Sequence, residues 1–462
     1  MKLHFRNSIA FLAIPLCGMI PSIHAQNIVT GFDASLGGGF QNTNSGAYAF
    51  LGGGSQNTAS GAYAFLGSGS NNTVSGDLAF LGGGEYNTVS GNSAFLGGGS
   101  QNTASGTTAF LGGGSNNTAS GTYAFLGGGS QNTNSGAVAF LGGGFENTAS
   151  GDYAFLGGGV QNTNSGAVAF LGGGIQNTAS GYSAFVGGGQ YNTASGSNSS
   201  VAGGMSNNAV GPNTFIGGGT GNSAAANFSV IGGGYSNGVS NNAVRSFIGG
   251  GASNFATGTY ATIPGGLGNK ATNYAFAAGY GAQATHQGAF VWSSQLMTGS
   301  TNAYSFTARA PGGVRFITSA SATVGAFLAP NATAWSVLSD RNSKQDFQPI
   351  DTRNILHQLE QMPVTAWSYK HDPTRRYIGP TAQDFKAAFG LGTDDRSINT
   401  LDTAGVTLAA IKGMGQEVND LKSQLSQRDA KIEALEKKLD QVTERLNQLP
   451  PAPMPTTTLN SH

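Results

Sequence analysis

Charge and cysteine are what this chain has least of. Only 9% of its 462 residues are charged, one is a cysteine, and acids and bases balance to a formal net charge of zero. Between Gln26 and Phe290 the charged residues are Asp33, Asp77, Glu85, Glu146, Asp152, Arg245 and Lys270. So thin a supply excludes from that stretch the paired carboxylates of glycoside hydrolysis. It also excludes the Asp-rich repeats through which calcium stabilises some solenoids. A neutral chain has no electrostatic pull on nucleic acid or an anionic membrane, and neither is expected as a partner. No metal or cofactor is expected.

The single cysteine, Cys17, falls within residues 1–25, which read as a secretory signal. Lys2 and Arg6 form a basic start, Ile9 to Ile20 an apolar core, and Ile23-His24-Ala25 a small-residue cleavage site, so removal after Ala25 is expected. The core is too short, and too interrupted by Pro15, to span a bilayer. Pro15-Leu16 is a poor lead-in for lipidation of Cys17. The mature chain is then expected to be secreted or at the cell surface, without disulfides and without an evident membrane anchor. Its stability must come from packing and assembly.

What the chain has instead is glycine, 76 residues of it, and a repeat. The stretch Ala49-Phe50-Leu51-Gly52-Gly53-Gly54-Ser55-Gln56-Asn57-Thr58-Ala59-Ser60-Gly61 returns, lightly edited, every fifteen residues. Its anchor runs from Leu36 and Leu51 to Leu171, then through Val186, Val201, Ile216 and Ile231. A two-residue insertion moves the next anchors to Ile248 and Ile263, and two fourteen-residue steps follow, to Ala277 and Val291. A fixed period of this kind marks a repeat architecture. The 39% of residues that are hydrophobic sit in register, which a flexible glycine tract would not require.

Each repeat divides into a short Ala-Phe-Leu strand, a glycine bend, a Gln-Asn-Thr-Ala strand and a Ser-Gly bend. A helical hairpin is excluded, because each glycine costs about 1 kcal/mol in a helix. The pattern suits a mainly β chain, a parallel β-solenoid over 26–291 with about fifteen residues per coil and coils stacked about 4.8 Å apart. Side chains alternate across a strand, so Ala49 and Leu51 face one way and Phe50 the other. A coil this small hides one apolar row. The small Ala and Leu side chains fill it and leave the phenylalanine row, from Phe50 to Phe290, outside. Exposed apolar patches on monomers rarely exceed a few hundred Å². The row therefore predicts burial between copies of the chain. Phe inside and Leu outside would leave the same problem with a leucine row.

The segments Ser229-Val230-Ile231-Gly232-Gly233-Gly234 and Tyr274-Ala275-Phe276-Ala277-Ala278-Gly279-Tyr280 resemble the head repeats of trimeric autotransporter adhesins. The resemblance implies left-handed parallel β-rolls joined as a homotrimer. The adhesins' anchor barrel has no counterpart, since the chain ends in a helical pattern, so surface anchoring by that route is not expected. The recurring pairs Asn57-Thr58, Asn102-Thr103, Asn147-Thr148 and Asn192-Thr193 read as turn and ladder residues. The alternative is that a regular threonine array binds ice or a glycan.

Residues 292–338 lose the repeat and read as a β-rich neck, with strands expected at Phe306–Arg309, Val314–Ile317 and Ala326–Leu328. From Ser339 the composition becomes that of an ordinary globular segment. A helix is expected at Ile355–Met362, a strand at Val364–Lys370, and a strand running into a helix over Tyr377–Phe389. Alone, a serine and a lysine five residues apart, Ser339 and Lys344, are weak evidence for a nucleophile and its base. They come with Leu338, Asp340, Arg341, Pro363-Val364, Trp367, Tyr369, Ile378-Gly379-Pro380 and Ala382-Gln383-Asp384-Phe385. Together these resemble the C-terminal intramolecular chaperone domain of phage endosialidases and tail spikes.

That resemblance implies a domain, placed at 339–415, that trimerises, helps the upstream β-structure assemble and then cuts itself off. By position, the cut falls between Leu338 and Ser339, with Ser339 as nucleophile and Lys344 as base. Asp340, Arg341, Asn342 and Gln383 would have structural or orienting roles. Over 416–449, Val418, Leu421, Leu425, Ile432, Leu435, Leu439, Val442, Leu446 and Leu449 alternate by threes and fours, with Arg428 inside the seam. This is a coiled-coil pattern. Pro450 and Pro451 stop it, and 450–462 is expected to be a disordered tail. The function expected is a secreted trimeric, adhesin-like fibre with a self-cleaving chaperone, self as its partner, and a possible cell-surface or glycan ligand. The alternatives are an ice- or glycan-binding solenoid and a glycan-degrading enzyme of the tail-spike type.

Overall fold

The computed structural model describes residues 26–322 and 324–451. The signal read at 1–25, with Cys17, lies outside them, as does the tail from residue 452. The chain divides into two compact units, one reaching residue 317 with 325–337 added, the other comprising 318–324 and everything from Leu338 onward.

The first unit is a parallel β-solenoid. Each coil contributes one two-residue strand of the type Phe50–Leu51 and one of the type Thr58–Ala59. Each strand pairs in parallel with its equivalent one coil away, Phe50 with Phe65 and Leu51 with Leu66, Thr58 with Thr73 and Ala59 with Val74. A line of single bridges, Ser55 to Ser70 and onward, closes the corner between them. Among the described residues, nineteen strands make up the sheet that contains the Thr58-type strands.

Burial follows the alternation. Leu51 is 0% exposed and Ala49 1%, whereas Phe50 is 42% exposed. From Phe50 to Phe185 the outer rings stack face to face, with centroids 4.8 to 5.2 Å apart.

A third inner row consists of asparagines. Asn57 is fully buried, and so are its equivalents from Asn42 onward. The Asn57 Oδ1 accepts the backbone N–H of Asn72 at 3.0 Å, and its Nδ2 donates to Gly53 O at 3.1 Å and Gly69 O at 2.7 Å. The same pattern repeats coil after coil, so these buried amides are satisfied by the neighbouring coils. The tight-turn backbone expected of asparagine falls one residue earlier. Gln56 has φ +57°, and the other corner places Tyr63 at φ +56°. The glycines stand where neighbouring coils touch: a Cβ on Gly61 would collide with Gly76 O, and one on Gly54, at φ +92°, with Gly69 O.

The parallel ladder continues beyond the Val291 boundary read from the sequence. Phe290 to Ser293 pairs with Phe306 to Arg309, the first of the three strands expected in the neck. The other two, Val314–Ile317 and Gly325–Leu328, form with Ser336–Val337 an antiparallel three-stranded sheet.

The second unit is a small α+β module followed by a long helix. Helix α1 spans Thr352–Gln361, α2 Ala382–Phe389 and α3 Thr400–Asn447. Between α1 and α2, strands Thr365–Tyr369 and Asp372–Gly379 form an antiparallel hairpin. Asp351, Thr381 and Asn399 cap the three helices through side-chain oxygens, the N-cap role for which such residues are favoured. Met362, Phe385 and Val406 form a small core, with Ile355, Leu359 and Phe389 packed against it. Helix α3 begins eighteen residues before Val418, the first residue of the heptad pattern read in the sequence.

Candidate functional site

The site is built on one tight turn. An extended chain would hold residues five apart at roughly 17 Å. Instead the backbone closes into a short 3-10 helix, Arg341–Ser343, immediately after Asp340. Asp340 makes this turn. Its Oδ1 accepts the Asn342 N–H at 2.9 Å and the Asn342 Nδ2 at 3.2 Å. Its carbonyl oxygen accepts the Ser343 hydroxyl at 2.8 Å and the Ser343 N–H at 3.2 Å. Lys344 N–H then donates to Arg341 O at 3.1 Å, which ends the turn.

The turn brings Lys344 Nζ to 2.6 Å from Ser339 Oγ. Both side chains are exposed, while Leu338, which precedes the serine, is half-buried. The Arg341 guanidinium lies 4.9 Å from the centroid of the Phe347 ring and braces the segment beyond the turn. Chemically, an amine in hydrogen-bond contact with a hydroxyl can accept its proton once the amine is neutral, and the hydroxyl is then a nucleophile. The carbonyl nearest to Ser339 Oγ along the chain is that of Leu338.

Of the flanking motif residues, Asp340 and Asn342 hydrogen-bond within the turn. Gln383 does not join them: it is exposed in the first turn of α2, and among the described residues no hydrogen bond ties it to Ser339 or Lys344. Trp367 stacks on Tyr377 across the hairpin with centroids 4.9 Å apart, and Tyr369 meets both rings edge-on. Ile378-Gly379-Pro380 leads from the hairpin into α2, whose Phe385 is buried. Two titrating groups lie further along. The hydrogen bond to Asp395, reinforced by that carboxylate's charge, raises the pKa of Lys386. Backbone and hydroxyl donors from Arg396 and Ser397 hold Asp394 below the usual carboxylate value. Among the described residues, neither group bonds to the Ser339 turn.

One apolar surface of this unit was missed in the sequence. On α3, Val406, Ala409, Ala410 and Gly413 are buried, but Leu401, Leu408, Ile411 and Met414 are exposed. They carry the exposed row of Val418, Leu421 and Leu425 upstream. Gly405, Gly413 and Gly415 hid this part of the helix, since glycine argues against helix on propensity.

Residues 339–390 match the family model of a peptidase family described as the chaperone of endosialidase. The match begins at Ser339 and covers the turn, α1, the hairpin and α2, leaving out the solenoid and α3. No curated protein matches the chain.

Proposed function

We propose that the chain is a secreted fibre protein that assembles as a homotrimer and releases its C-terminal segment by cutting itself between Leu338 and Ser339. A β-solenoid joined to a chaperone-of-endosialidase segment fits a tail-spike-like or fibre-like protein. The finer reading is carried by one observation, the 2.6 Å contact of Lys344 Nζ with Ser339 Oγ at the start of the matched segment.

In the proposed reaction the neutral Lys344 amine takes the Ser339 hydroxyl proton, and Oγ attacks the Leu338 carbonyl carbon through a small ring. The C–N bond to Ser339 breaks as its nitrogen receives the proton back from Lys344. Leu338 is now esterified to Ser339 Oγ. Water hydrolyses the ester, leaving a carboxylate on Leu338, the restored Ser339 hydroxyl and a new amino terminus. A lysine amine works as a base when neutral, and burial favours the neutral form. In the single chain both side chains are exposed. Closure of other protomers around the turn would supply the burial and couple cutting to assembly.

Self-association is supported by apolar surface that a single chain leaves open. The phenylalanine row of the solenoid is one part of it, the α3 seam another, and Ile378 at 81% exposure a third. Secretion rests on the signal read at 1–25. Expression of the full chain beside Ser339→Ala and Lys344→Ala, followed by gel electrophoresis and mass spectrometry, tests the chemistry. The parent chain should yield a fragment starting at Ser339, and both variants should stay whole. A parent chain that folds, trimerises and remains uncut would remove the self-cleavage from this reading.

A further inference from the structure

The solenoid has a second outward surface that neither packing nor the proposed self-association explains. Thr58, on the second strand of its coil, and Ser60, directly after that strand, lie outward on either side of buried Ala59. The pattern Thr-x-Ser holds without exception over eleven coils, from Thr43 and Ser45 to Thr193 and Ser195, with each threonine half-exposed and each serine exposed.

The fold does not require these residues. The following coils keep the same parallel strand with Asn208, Ser223, Gly238, Phe255 and Lys270 in the threonine slot. Val210 and Ala225 take the serine slot. Nor is the pattern mere copying of a repeat. Within the same eleven coils the corner before the asparagine row has changed freely, to Ser55, Glu85, Phe145, Val160 and Gln190. The corner side chains have diverged while their backbones still bridge coil to coil, and the Thr-x-Ser pair has not diverged.

The surface it makes is regular and uncharged. Side chains two apart on a strand lie about 6.6–6.8 Å from each other. Along the axis the coils repeat at the 4.8–4.9 Å seen in the stacked rings. The two columns hold hydroxyls and threonine methyls only. They include no aromatic ring on which a sugar could stack, and they form no concave pocket of the kind that takes soluble ligands.

We propose that the Thr-x-Ser face of these eleven coils binds ice. An ice surface is an uncharged two-dimensional lattice of donors and acceptors, and a hydroxyl can both donate and accept. The methyls are removed from liquid water on contact. Because the coils hold the columns rigid, little freedom is lost on binding, and many weak contacts act together. The inference rests on the solenoid alone and does not depend on self-cleavage.

The test uses the full chain in ice-affinity uptake and freezing-hysteresis measurements. The face variant pairs Thr118→Tyr with Thr133→Tyr, and the control pairs Ser115→Tyr with Ser130→Tyr at the corner that already carries Phe145. A milder face variant, Thr118→Asn with Thr133→Asn, uses the residue found in that slot at Asn208, so a fold disturbed by tyrosine leaves the question answerable. The parent and the control should enter growing ice and show hysteresis, and both face variants should lose them while keeping the parent's circular dichroism. Absence of uptake by the parent would overturn the proposal, as would equal loss in face and control variants. So would retention of the parent on crystalline cellulose or chitin that the face variants abolish, which would make the face a polysaccharide surface.

Discussion

Two asparagines two residues apart on one coil have opposite worth. Asn132 Oδ1 accepts the Asn147 backbone N–H at 2.9 Å, and its Nδ2 reaches Gly128 O and Gly144 O. Replacing it by alanine leaves a buried N–H unpaired and a gap beside it, at a cost of about 2–4 kcal/mol. Asn134 is equally buried and donates to Phe125 O and Ala139 O, but its own Oδ1 has no hydrogen-bond partner among the described residues. Its slot holds Ala119 and Ala149 in the coils on either side. Asn134→Ala should therefore change stability by no more than about 1 kcal/mol, since the lost bonds are offset by removal of the orphan oxygen. Thermal melts followed by circular dichroism should show Asn132→Ala well below the parent and Asn134→Ala close to it. Equal shifts would mean that the amide ladder contributes no more than any other core contact.

The corners make a second residue-scale prediction. Val138 stands at φ +58°, a conformation that β-branched residues rarely adopt, and its side chain is 46% exposed. Asn198 and Asn213 occupy the same corner at φ +55°. Val138→Asn should raise stability by about 1 kcal/mol, because asparagine tolerates the left-handed region and little buried surface is lost. A lowered melting midpoint would show that the valine makes contacts worth more than its backbone strain.

At the scale of elements, the strand positions and the inward leucine row were legible because period and alternation are both direct consequences of a pleated coil. The buried asparagine row was only half legible. Asn is a favoured turn residue, so Asn57 reads as a corner. The corner backbone falls on Gln56 whatever residue type stands there, as Tyr191 and Glu146 show at the same position. The Ser339–Lys344 pair was legible through the surrounding motif, but the turn that joins them depends on the Asp340 cap, which spacing alone does not reveal. The first turns of α3 were illegible for a specific reason. Gly413 is glycine because a Cβ there would collide with the Thr352 carbonyl oxygen of α1, whereas Gly405 and Gly415 face open space. Gly405→Ala and Gly415→Ala should each stabilise the helix by up to about 1 kcal/mol. Gly413→Ala should do the reverse, despite the same gain in propensity, by forcing α1 and α3 apart. Melting of the helical signal distinguishes the three, and a stabilising Gly413→Ala would mean that α1 can shift without cost.

For the whole molecule, the difficulty lies in the repeat itself. Under the proposed self-association, copies joined along the phenylalanine row would meet nearly identical coils from Phe50 to Phe185, so a slip by one coil there would forfeit few contacts. Register is weakly specified wherever a strand pattern repeats without a marker. The C-terminal segment would have no such ambiguity, because the heptad pattern read in its sequence is broken by Arg428 at one position. If that segment aligns the copies and is cut away only once they close, then preventing closure must prevent cutting. Leu421→Asp with Leu435→Asp places charges on the apolar row of α3, outside the Ser339 turn, and should leave the chain monomeric by sedimentation and uncut on a gel. Lys344→Ala in an otherwise unchanged chain should trimerise and stay whole, which separates failed assembly from failed chemistry. Should the Asp variant remain monomeric and yet release the fragment starting at Ser339, the turn would be competent in a single chain. Cutting would then mark folding of that segment rather than alignment of the fibre, and the register of the solenoid would need another source.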